Sequence, residues 1–292
     1  FPAGASTLLP AATANVQVIH NSPDPAAATV DIYINGQEGD APTLPGVPFR
    51  GATGFLPLPA GEEIIVTVVP EGGAIADGAA FPFTLDPVVN YQLIASGVLS
   101  YCLPAYPEEI STDFVLLARD GALIQTSSMN EVGVSVVHGS PDAPTVDALV
   151  RGAGIALADD APYQGITPYT IVPPGEYIVD ITLADGTTNV AAFTADLTEA
   201  GGRGVTVLAS GYLAPTGDLP AFGLLAVFPN GDSDLLPSAP LPAQALVQVI
   251  HNSPDPAAAV VDSFINGQDG DDPTIPDLAF RTTWRSPRTG RS

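Results

Sequence analysis

Hydrophobic positions along this chain alternate instead of recurring at helical spacing. Val16, Val18 and His20 share one face of an extended segment. Val30, Ile32 and Ile34 share one face of the next, with Asp31 and Tyr33 opposite. Ser22-Pro23-Asp24 separates these two runs, and Asn35-Gly36 follows the second as a strong turn signal. Further apolar runs, IIVTVV from Ile64, YQLIASG from Tyr91 and FVLLARDG from Phe114, read as strands in the same way. Short strands at this spacing predict an all-β fold, an antiparallel, immunoglobulin-like β-sandwich. The run FTADLTEAGG from Phe193 is the one segment with room for a helical turn.

The pattern repeats. VQVIHNSPDPAAATVDIYINGQ opens at Val16, VSVVHGSPDAPTVDALVRGAG at Val134 and VQVIHNSPDPAAAVVDSFINGQ at Val247. Equivalent histidines stand 118 and 113 residues apart, at His20, His138 and His251. In the first two copies the likeness continues: YQLIASGVL from Tyr91 is answered by GVTVLASGYL from Gly204. A period of this size marks tandem modules of about 115 residues. Residues 14–127 form the first predicted module and 132–237 the second, with residues 126–131 and the Pro-rich 237–244 as linkers. Residues 245–292 hold a partial third copy. It follows the first through Phe280-Arg281 and then departs, with an atypical basic tail from about 282 that is expected to be disordered. Two strands and a turn are marginal in water. The third copy is therefore expected to stay mobile, to dock on the second module, or to self-associate by adding strands to a neighbouring chain.

The motif V-x-V-x-H-x-S-P-D, followed by a V-D strand and a small turn, resembles the signature of the domain of unknown function 4397 family. That resemblance covers two modules and the start of a third. It implies a β-sandwich and a secreted or cell-surface, extracytoplasmic location, and it carries over no catalytic residues.

Composition narrows the partners. The chain has 32 acidic residues against 8 Arg, with no Lys, for a net charge of −24. Such a surface repels nucleic acid and anionic lipid. No apolar stretch is long enough for a membrane span. The chain begins at Phe1, which suggests a mature form or an excised fragment. Its lone cysteine, Cys102, excludes an intrachain disulfide and is expected to be a buried or incidental thiol.

Candidate chemistry concentrates in the motif. Each copy supplies a His, a Ser and two Asp: His20, Ser22, Asp24 and Asp31; His138, Ser140, Asp142 and Asp147; His251, Ser253, Asp255 and Asp262. One His and two carboxylates could hold Zn²⁺ if they converge, and His with Ser invites a catalytic interpretation. The acidic loops NGQEGDAP from Asn35 and NGQDGDDP from Asn266 offer oxygens to Ca²⁺ without completing a known calcium pattern. A turn explains three copies more simply: Pro fixes φ, Ser and Asp bond nearby amides, and His locks the turn. The expectation is therefore no cofactor, no catalytic residue and a structural or adhesive extracellular role. A polysaccharide- or surface-polymer-binding array is the alternative, and a secreted hydrolase stands third.

Overall fold

The computed structural model describes residues 12–99, 111–242, 248–263, 275–281 and 283–285. The first module contains β1 (Thr13–His20), β2 (Thr29–Ile34), β3 (Leu44–Pro48), β4 (Leu56–Pro59), β5 (Glu63–Pro70), β6 (Ala79–Thr84), β7 (Asn90–Ser96) and β8 (Val115–Arg119). They form two four-stranded sheets, ordered β4-β1-β7-β8 and β3-β2-β5-β6. The second module contains β9 (Val132–His138), β10 (Val146–Val150), β11 (Ile155–Ala161), β12 (Thr170–Val172), β13 (Glu176–Leu183), β14 (Asn189–Asp196), β15 (Gly204–Ser210), β16 (Gly223–Val227) and β17 (Ser233–Leu235). Its sheets are β12-β9-β15-β16-β17 and β11-β10-β13-β14, the same plan with one edge strand added. The fold is all-β, and each module is a sandwich.

One detail departs from an antiparallel plan. β1 pairs β7 in parallel, and β9 pairs β15 in parallel, while their other neighbours are antiparallel. Period-two alternation places side chains on faces and is blind to strand direction. A parallel pair needs a long crossover, and the intervening strands of the opposite sheet supply it. The segment from Phe193 is strand through Asp196, not helix. The helical pieces among the described residues are single 3₁₀ turns at Pro25–Ala27, Ile75–Asp77 and Pro256–Ala258.

Val16, Val18 and Leu93 pack against Ile32, Val66 and Val68 between the sheets of the first module. Val134, Val136 and Val207 pack against Ala148, Val179 and Ile181 in the second. The opposite faces of the same strands are also buried. Ile19 and Ile94 of the first module join Val137, Leu208, Leu225 and Val227 of the second in a separate apolar cluster. Equivalent strands of the two modules thus face each other, and the span Phe1–Leu241 is one compact unit.

Residues Pro242–Ser292 are a second unit. Within it β18 (Gln248–Ile250) pairs β21 (Thr283–Arg285), and β19 (Val260–Ser263) pairs β20 (Ile275–Ala279). The expectation of disorder from about 282 is corrected at residues 283–285, which form a strand. The cause lies in the backbone. Arg281 takes a left-handed φ of 64° and its N–H donates to the His251 carbonyl, as Arg50 does at 67° toward His20. Main-chain bonding carries the repeat geometry past the point where side-chain similarity fails. The end of the tail, residues 286–292, and Cys102 lie outside the described residues.

Candidate functional site

In the first module the motif is buried and bonded to its own backbone. His20 is fully buried at the end of β1, and its Nε2–H donates to the Ala27 carbonyl at 2.6 Å. A carbonyl only accepts, so Nε2 carries the proton. Nδ1 then accepts from the Ser22 amide at 3.4 Å. Burial lowers the His20 pKa below its usual 6.5, only partly offset by the bond to Ala27, which keeps the ring neutral. Phe49 meets the imidazole edge-on, with ring centroids 6.3 Å apart.

The Ser22 hydroxyl donates to the Gly97 carbonyl at 2.6 Å, tying the turn to the residue after β7. Asp24 accepts from Ala26 N at 2.8 Å, capping the first 3₁₀ turn, and from Leu99 N at 2.7 Å. Asp31 accepts from Gly46 N at 2.8 Å and Gly72 N at 3.0 Å. It thereby joins β2 to β3 and to the turn beyond β5.

The second module repeats the scheme with other partners. His138 Nε2 bonds the Pro144 carbonyl at 2.9 Å, and Tyr163 takes the place of Phe49. Ser140 donates to the Gly211 carbonyl at 2.7 Å, and Asp142 accepts from Leu213 N and Ala214 N. Asp147 accepts from Asp160 N at 2.7 Å and from the Thr182 hydroxyl at 3.4 Å. In the third copy His251 bonds the Ala258 carbonyl at 2.5 Å, Asp255 caps the turn through Ala257 N, and Asp262 accepts from Asp277 N. Ser253 donates its amide N–H to His251 Nδ1 at 3.5 Å, and its hydroxyl oxygen accepts from Asp255 N at 3.4 Å.

The motif side chains are therefore adjacent without converging on a common point. His20 bonds the Ala27 carbonyl, Asp24 the amides of Ala26 and Leu99, and Asp31 those of Gly46 and Gly72. Ser22 directs its hydroxyl to a carbonyl and only its amide to the imidazole, and Ser140 shares its hydroxyl between the Gly211 carbonyl and Asp142 Oδ1 at 3.3 Å. Among the described residues no group of three or more His, Cys, Asp or Glu is gathered as a metal ion requires. In the first acidic loop Asn35, Glu38 and Asp40 accept from the amides of Ile65, Ala76 and Gln37. The loop at 266–273 lies outside the described residues.

The alternation pattern missed a second buried polar group, at the contact between the two modules. Gln17 Nε2 donates to the Thr53 and Phe228 carbonyls, both at 2.8 Å. Gln92 Nε2 donates to Gln17 Oε1 at 2.8 Å and to the Thr206 hydroxyl at 2.9 Å. Arg50 donates to the Ser210 hydroxyl and carbonyl and to the Ala221 carbonyl. Arg119 lies over Tyr169, 3.9 Å from the ring centre, and donates to the Ser135 hydroxyl at 2.8 Å. A signal for this face was present in the sequence. Val18-Ile19, Leu93-Ile94 and Val207-Leu208 are apolar on consecutive positions, which requires burial on both faces.

These features define a class of protein: tandem β-sandwiches whose shared motif is an internally bonded turn. Residues 132–231, which make up the second module, match the family model described as domain of unknown function (DUF4397). No curated protein matches the chain.

Proposed function

We propose that the chain is a non-catalytic extracellular repeat protein, a structural or adhesive component of a surface or matrix. The observation that carries this reading is the commitment of the motif: its His, Ser and Asp side chains bond the backbone of their own module. Side chains held this way stiffen a module and are not presented to a substrate. Tandem repetition and strong acidity support a role in which modules act as rigid, well-solvated units.

A second reading, binding of a polysaccharide or other surface polymer, draws on one feature. An open pocket of about 490 Å³ is lined by Gln125, Ser128, Arg203 and Asn230 among others. Its polar rim suits hydroxyl-rich ligands. A glycan array and a broad hydrolase panel, both run on the full chain, separate the readings. The structural role predicts neither selective retention nor turnover. Selective retention that Arg203→Ala abolishes establishes the second reading, and turnover overturns both.

A further inference from the structure

The contact between the first two modules is asymmetric in sequence. The first module contributes Ile19, Asn21 and Arg50. At the equivalent places the second carries Val137, Gly139 and Gln164. Ile19 is fully buried against Val137 and Leu208. Asn21 Nδ2 reaches the Ala209 carbonyl at 3.3 Å. That approach depends on Gly139, because a Cβ there would collide with Asn21 Nδ2. Arg50 reaches the Ser210 and Ala221 carbonyls past Gly211, where a Cβ would lie 2.7 Å from its Nη2. The first module is a plug of larger side chains, and the second is a socket with glycines where the plug enters.

The third copy carries the plug residues again, as Ile250, Asn252 and Arg281, each 231 positions further on. Its backbone launches the arginine in the same way. Arg281 has a φ of 64° against 67° for Arg50, and its N–H bonds the carbonyl of the motif histidine. Its guanidinium rests on Phe280 at 5.1 Å, as that of Arg50 rests on Phe49 at 4.9 Å. Ile250 is 61% exposed where Ile19 is 0%, and Asn252 and Arg281 are exposed.

We propose that the third copy is a docking face for the second module of a second copy of this chain. Recognition is made by the plug residues Ile250, Asn252 and Arg281 against the socket formed by Val137, Leu208, Gly139 and the carbonyls of residues 209, 210 and 221. Within one chain the first module holds the socket, since it is tethered and also brings Gln92 and Ile94 from β7. The third copy therefore engages by exchange, filling a socket from which the neighbour's own first module has been released.

The test uses full-length chains. An acceptor carrying Ile19→Arg and Ile250→Arg has an open socket and no working plug. Sedimentation velocity of the wild-type chain mixed with this acceptor is expected to give a one-to-one complex. The Ile250→Arg chain is expected to give none, and Arg281→Ala to weaken the complex about tenfold. Should circular dichroism show that Ile19→Arg unfolds the acceptor, Arg50→Ala with Ile250→Arg opens the socket more gently and makes the same comparison. Failure of the wild-type chain to bind a folded acceptor overturns the proposal. So does association that survives Ile250→Arg, since strand pairing at an edge would not depend on that side chain.

Discussion

Asp24→Ala separates a structural turn from a reactive one. Asp24 is 2% exposed and accepts two amide hydrogen bonds, at 2.8 Å from Ala26 and 2.7 Å from Leu99. Bonds to a charged acceptor contribute about 1.5–3 kcal/mol each. Leu99 is 45% exposed, so its amide recovers water when the carboxylate is removed, which puts that bond at the low end. The expected loss is about 3 kcal/mol. For a unit of this size, that lowers Tm by roughly 6–12 °C, at about 2–4 °C per kcal/mol. Asn in place of Asp keeps one acceptor for the Ala26 cap and presents an amino group to the Leu99 N–H, so Asp24→Asn should lose roughly half as much. Urea unfolding followed by far-ultraviolet circular dichroism measures both variants. A carboxylate held in place for chemistry behaves oppositely, because its removal relieves a buried charge. Asp24→Ala within about 0.5 kcal/mol of wild type, or more stable than it, would refute the structural account.

Two further outcomes follow from the same geometry. Burial lowers the folded pKa of His20 below 6.5, so the unfolded chain takes up the proton first. Stability therefore falls as pH drops below 6.5, by at most about 1.4 kcal/mol per pH unit, until the folded pKa is reached. His20→Phe should cost about 1–3 kcal/mol at neutral pH through the unpaired Ala27 carbonyl, yet show a shallower acid slope. Equal slopes in urea titrations across pH would contradict the neutral buried ring. At the module contact, Gly139→Ala should destabilise by about 1–3 kcal/mol, because the new methyl meets both Asn21 Nδ2 and the Ala209 carbonyl. Adding Asn21→Ala removes the first of these clashes and leaves the second, so it should restore part of that loss in thermal melts, and no recovery at all would count against the Asn21 contact.

How much of this was legible in advance depended on which force set each feature. The alternation of Val16, Val18 and His20 and the Ser-Pro-Asp and Asn-Gly turns read directly as strand, turn and strand, because side-chain period and turn chemistry are local properties. The repeat carried the same information three times, and the expectation of a turn bonded through His20, Ser22 and Asp24 needed only their spacing and bonding capacity.

Tertiary structure decided the rest. The parallel pairing of β1 with β7 joins segments 75 residues apart, as the register of Val16 with Tyr91 shows, and alternation is the same for either strand direction. Thr283–Arg285 became a strand because Gln248–Ile250 offered backbone partners, although composition pointed to a disordered tail. Gln17, Arg50 and Gln92 looked like ordinary polar positions on the outer face of a sandwich. They are enclosed because Ile19 and Ile94 bring a second module onto that face, and a polar side chain held there must find partners among the neighbour's carbonyls and hydroxyls. Sequence alone determines which residues can bond or pack. Only the fold determines which distant segments supply the partners, because that choice depends on the burial gained by the whole unit.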